Sequence, residues 1–231
     1  MKPDFSAREK ICFDVLKLLE KNDEYVIIGG YAVSSYGFPR FSVDLDIVLP
    51  TTGLSFVHRL LTKQGFTKGK EKTDLSYSGT FERYAKGLVS VDLLINAVEA
   101  RQTGYAYPYS YVSSNARKRQ VAGWDPSHTA KVKVATKEML IALKLHSLRD
   151  ADKRDIIMLC YQMPNVLALA RHLMNGPREK ILEHVYTLRD VLDDQHLKDS
   201  LKGVYSINDR VFEKAIQNCH RALDELRTRL Q

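Results

Sequence analysis

At 231 residues, 44% of them hydrophobic and 27% charged, the chain can bury one large core or two small ones, which excludes an intrinsically disordered polymer. Its three cysteines are odd in number and widely spaced, which excludes a disulfide scaffold and favours core thiols, and its formal charge of +7 favours polyanionic partners over polycations. There is no apolar stretch long enough to span a bilayer, and Met1-Lys2-Pro3-Asp4 does not open a signal peptide, so a soluble cytoplasmic protein with no membrane partner is expected.

An amphipathic helix is predicted around Ala7 to Lys21, followed by a short buried strand at Tyr25-Val26-Ile27-Ile28. Gly29-Gly30 then let the backbone turn sharply and pass close to another group before a short helix over Tyr31 to Tyr36. A strand, a glycine turn and a helix N-terminus together make a place for phosphate. Gly37 closes the helix and Pro39 keeps the next residues extended, so Arg40 and Ser42 arrive just before a second strand, with Arg40 able to reach a phosphate oxygen.

In that strand Asp44 and Asp46 alternate with Val43, Leu45 and Ile47, which puts both carboxylates on one face about 7 Å apart at their Cα atoms. Like charges so placed stay ionised only when cations compensate them, and a divalent ion held through oxygen is the simplest such cation. A third carboxylate, Asp92, is the only charge in Leu88 to Ile95 and shares a strand face with Ser90 and Leu94. Basic residues cluster at Lys63, Lys68, Lys70 and Lys72, at Arg117-Lys118-Arg119 and at Lys131-Val132-Lys133. Tyr105, Tyr107, Tyr109 and Tyr111 alternate, so on an extended segment they would share a face, either to stack unpaired bases or to pack a sheet. From Thr136 onward the pattern is helical, with breaks at Pro164 and Gly176-Pro177, and Lys144 is the one formal charge between Met139 and Leu148 on a face expected to be buried. Such a lysine either meets an anion or snorkels to water. Asp155 reads as a favourable charge in the first turn of its helix, and Arg149 can pair with Asp152. The seven histidines form no spaced metal motif with cysteine and read as surface or packing residues.

Gly-Gly, a short helix, Arg-x-Ser-x-Asp-x-Asp and a later lone Asp on a strand resemble the nucleotidyltransferase superfamily that includes DNA polymerase beta, and in particular the AbiEii-like toxin nucleotidyltransferases. The likeness continues through the helix bearing Lys144 to Lys153-Arg154-Asp155 and covers roughly residues 25 to 160. The mixed strand and helix patterns over residues 1–135 and the helical periodicity over residues 136–231 predict an α/β lobe followed by a C-terminal helical bundle, and the resemblance implies that the first is a nucleotidyltransferase domain with a mixed β-sheet flanked by helices. It also implies that Asp44, Asp46 and Asp92 hold metal, with two magnesium ions and a nucleoside triphosphate as substrate. Asp92 would help activate an acceptor hydroxyl, Gly29 and Gly30 would form the phosphate turn, and Lys144, Arg149 and Asp155 would complete the nucleotide pocket beside Arg40 and Ser42. Many members of the superfamily have Ser directly after the first glycine. Here Gly30 and Tyr31 follow instead, so backbone N–H groups would grip phosphate, and Tyr31 would either stack on a base or pack.

The implied reaction is transfer of a nucleoside monophosphate to a hydroxyl, favoured as the 3′ end of an RNA such as tRNA, with an antitoxin protein as partner. The same scaffold can modify a small hydroxylated compound, such as an aminoglycoside, or a protein hydroxyl. It can also bind nucleotide or RNA without turnover.

Overall fold

A computed structural model describes residues 5–69, 80–194 and 196–231. Lys70 and Lys72 of the first basic cluster lie outside the described residues. Two compact units emerge, one from residues 1–99 and 106–136, the other from residues 100–105 and 137–231.

The first unit is α/β. Helix α1 (Phe5–Leu19) leads into β1 (Val26–Ile28), α2 (Gly29–Ser34), β2 (Asp44–Leu49), α3 (Thr51–Lys63), β3 (Thr67–Lys68), β4 (Thr80–Lys86), β5 (Val89–Ile95), β6 (Ala97–Glu99), β7 (Ala106–Pro108), α4 (Tyr109–Ser114), β8 (Ala116–Ala122) and β9 (Thr129–Ala135). Seven of these strands form one mixed sheet in the order β3-β4-β5-β2-β1-β9-β8, in which β2 runs parallel to β5 and β1 parallel to β9. This sheet, flanked by helices and followed by helices at the C-terminal end, has the expected nucleotidyltransferase architecture. All three residues of central β1 are buried, as their β-branched chemistry favours. Edge strand β8 carries Arg117, Lys118 and Arg119, charges that discourage pairing with another chain.

One buried acid ties α1 to the β8–β9 turn. Glu9 accepts the backbone N–H groups of Trp124 and Asp125 at 2.7 and 2.9 Å and lies 3.1 Å from Nδ1 of His128, which satisfies a carboxylate that would otherwise be costly to bury. Tyr31 packs rather than waiting for a base. Its ring meets Phe13 edge to face at 5.5 Å and its hydroxyl donates to the Ser42 carbonyl at 2.6 Å, and burial pushes its pKa far above the usual phenol value.

The second unit is helical: α5 (Lys137–Ser147), α6 (Asp150–Leu159), α7 (Val166–Leu173), α8 (Arg178–Leu192), α9 (Leu197–Tyr205) and α10 (Asp209–Leu230). Asn165 and Asn208 cap α7 and α10 by accepting from the N–H groups of Ala168 and Val211, each at 3.0 Å. In α10, Ala215, Cys219, Ala222, Leu223, Leu226 and Leu230 are buried at helical spacing. Cys12, Cys160 and Cys219 are buried free thiols, as expected. Among the described residues no helix is long and apolar enough to cross a membrane.

Candidate active site

Strand register builds the site. Asp46 lies opposite Ile28 of β1 on one side and Asp92 of β5 on the other, while Asp44 pairs with Ser90. Register partners in neighbouring strands project to the same face, so the three carboxylates share it, with Asp92 directly beside Asp46. Ser90 donates its hydroxyl to Asp44 Oδ1 at 2.5 Å. This charge-assisted bond fixes a carboxylate that is otherwise open to solvent.

The glycine turn is the space these groups fill. Gly29 has φ +68, a left-handed conformation that suits glycine, and a Cβ there would overlap the Asp46 carboxylate. A Cβ on Gly30 would lie 2.9 Å from Arg40 Nη2 and 3.1 Å from Ser42 Oγ. Asp46, Arg40 and Ser42 therefore converge on Gly29-Gly30, a cation and a hydroxyl beside a carboxylate. Helix α2 begins at Gly29 rather than Tyr31 and is only six residues long, so its dipole adds little and an anion here would depend on Arg40, Ser42 and nearby N–H groups.

Asp92 has a partner that the sequence reading missed. Arg83 of β4 lies opposite it across the antiparallel β4–β5 pair and grips both carboxylate oxygens, Nε to Oδ1 and Nη2 to Oδ2, each at 2.7 Å. This is a two-pronged, charge-assisted pair with the carboxylate side chain 10% exposed and the guanidinium side chain 45% exposed. The only local signal was a basic residue on a β-like segment nine positions upstream of Asp92. Pairing it with Asp92 requires the register.

The face thus carries three carboxylates against Arg40 and Arg83, a net negative charge lined by hard oxygen donors. Such donors are of the kind that magnesium takes. The expected three-carboxylate metal cluster is not formed by side-chain geometry, since among the described residues no three His, Cys, Asp or Glu side chains gather as a metal group.

Lys144, Arg149 and Asp155 belong to the helical unit, where a network of their own accounts for them. Lys144, whose side chain is 8% exposed, sits 3.0 Å from Asp152 Oδ1 and 2.6 Å from Asp155 Oδ2. The anion expected for this buried lysine is therefore a pair of carboxylates from α6 rather than phosphate. Arg149, the residue before α6, pairs through Nε with Asp152 Oδ2 at 2.8 Å, and the same oxygen accepts the Arg149 N–H, closing the helix start. Burial raises the Asp152 pKa, but Lys144 and Arg149 outweigh it and hold the group at about 2. Asp155 also accepts the Tyr205 hydroxyl.

The tyrosine face does not form. Tyr107 is buried and stacks on Tyr111 at 5.8 Å, and Tyr105 stacks on His146 at 5.0 Å, because the chain bends from β7 straight into α4 instead of staying extended. Several clustered cations also have local partners: Lys68 with Glu82 and Lys118 with Asp23, while Arg119 lies over the Tyr36 ring and donates to the Ser35 carbonyl.

Neither a family model nor a curated protein matches the chain. Solved structures do. The crystal structure of JHP933 from Helicobacter pylori aligns with a TM-score of 0.50 at 19% identity, covering 100% of this chain and 94% of that one. The solution structure of the antibiotic-resistance factor ANT(2'')-Ia aligns with a TM-score of 0.53 at 13% identity, covering 79% of this chain and 98% of that one. At these identities the likeness is one of fold.

Proposed function

We propose that the chain is a magnesium-dependent nucleotidyltransferase that moves a nucleoside monophosphate from a nucleoside triphosphate to a hydroxyl acceptor. The observation that carries this reading is the convergence of Asp46, Arg40 and Ser42 on Gly29-Gly30, with Asp92 across the strand from Asp46. Asp44 and Asp46 would hold the metal ions, which when bound supply positive charge against the phosphates and the leaving pyrophosphate. Arg40 and Ser42 grip phosphate oxygens at the glycine turn. Asp92, oriented by Arg83, accepts a hydrogen bond from the acceptor hydroxyl and takes its proton as oxygen bonds to the α-phosphorus and the bond to pyrophosphate breaks. Lys144 and Asp155 contribute by fixing α5 against α6.

The favoured acceptor is the 3′ end of an RNA such as tRNA. With the AbiEii-like motif order this makes the chain the toxin of a toxin–antitoxin pair, acting in the cytoplasm and neutralised by a cognate protein. A second reading, a small hydroxylated compound as acceptor, is supported by the fold likeness to an antibiotic-resistance factor and by the burial of Tyr107 and the stacking of Tyr105 and Tyr111 on neighbouring rings, which breaks up a shared base-stacking face. Incubation with magnesium, each labelled nucleoside triphosphate and either tRNA, protein extract or an aminoglycoside panel separates these readings, with Asp46→Asn as control. Label entering tRNA and lost in the variant supports the first, and label on an aminoglycoside supports the second. Absence of transfer to any acceptor with every nucleotide overturns the enzymatic reading.

A further inference from the structure

Helix α3 presents Phe56, Arg59, Leu60 and Lys63 at i, i+3, i+4 and i+7, a single stripe. Beside it lie Leu18 of α1 and Lys21 just beyond that helix, and together they line a groove of about 440 Å³. Its floor is apolar. Leu60 is buried, Phe56 half-buried and Leu18 42% exposed. Its rim carries Lys21, Arg59 and Lys63, all exposed, beside the amide of Gln64; among the described residues no acid lines the groove and none of the three cations forms an ion pair.

We infer that this groove is a docking surface for an acidic amphipathic helix of another protein, with apolar residues on the floor and carboxylates against Lys21, Arg59 and Lys63. Charge complementarity fixes the sign of the partner, and the floor fixes its class. A nucleic-acid backbone would neutralise the three cations but leave Leu18 and Phe56 in water, whereas a helix with apolar residues at i, i+4 and i+7 covers them and brings flanking Glu or Asp side chains to the rim. The inference is independent of the transfer reaction, because none of these residues belongs to the carboxylate face.

The test uses the full chain and three labelled probes in fluorescence anisotropy: an acidic amphipathic peptide of about 15 residues with Leu and Phe on one face, a peptide of identical composition with that face dispersed, and a single-stranded RNA of equal charge. The amphipathic peptide should bind about tenfold tighter than the dispersed one, and Arg59→Glu/Lys63→Glu should weaken it by at least about tenfold. Both substitutions are at exposed positions, and an unchanged melting temperature confirms folding. Equal binding of the two peptides, tighter binding of the RNA, no binding of the amphipathic peptide, or binding unaffected by the charge reversal would each overturn the inference.

Discussion

Replacing Lys144 by Met keeps most of the volume of the side chain and removes its charge. Asp152 and Asp155 would then face each other in a buried setting, each with its side chain 2% exposed. Breaking a buried ion pair from one side costs about 3–5 kcal/mol, because the remaining charge is left uncompensated. Here Asp152 keeps Arg149 and Asp155 keeps the Tyr205 hydroxyl, which places the loss toward the lower end, about 3 kcal/mol. Urea unfolding at pH 7, followed by far-ultraviolet circular dichroism, measures the loss. The double variant Lys144→Met/Asp155→Asn removes one stranded charge and should recover about half of it. A single variant within about 1 kcal/mol of the parent, or a double variant no more stable than the single, would refute the assignment of this lysine to the two carboxylates. A recovered double variant that retains nucleotidyl transfer would further separate a structural lysine from one that touches phosphate.

Three other outcomes are expected. Gly29→Ala must adopt positive φ and displace the Asp46 carboxylate, so it should lose about 2 kcal/mol or more and abolish transfer, while Gly30→Ala should fold normally but weaken nucleotide binding about tenfold by pushing on Arg40 and Ser42; equal effects in calorimetric titration and melting would contradict this geometry. Arg83→Ala leaves Asp92 without its guanidinium and should lower stability by about 1–2 kcal/mol, with millimolar magnesium restoring part of the loss; melting curves with equal magnesium response in parent and variant would argue against a cation site beside Asp92. Burial, reinforced by the nearby His184, lowers the His146 pKa from 6.5 to about 4, and burial lowers that of His172 as well. The folded state then resists a proton that the unfolded chain accepts, so stability is full above pH 6.5 and falls toward pH 4, by about 3 kcal/mol for His146 alone; His146→Gln should flatten that slope in urea titrations across the same range.

Much of the carboxylate face was legible because it is written at short range. Alternation in β2 sets Asp44 and Asp46 on one side, and the two glycines that open a short helix mark where side chains crowd the backbone. Those signals span a few residues and survive any tertiary arrangement. Arg83, by contrast, is paired with Asp92 only through the β4–β5 register, and no spacing rule points to it. Lys144 was correctly singled out as a buried charge, but burial alone does not say which anion it meets, and Asp152 and Asp155 become its partners only when α6 folds back on α5.

The tyrosines show the same limit from the other side. Alternation predicts a shared face only on an extended chain, and the passage from β7 into α4 replaces the two-residue period with a helical one, burying Tyr107 and stacking Tyr111 on it. By itself, the sequence determined the α/β-then-helical order, the glycine turn and the paired aspartates, all local patterns of hydrophobic period and backbone permission. Tertiary structure alone decided which charges neutralise which, since ion pairs such as Arg83 with Asp92 depend on distances between segments that are free to vary until the sheet and helices pack.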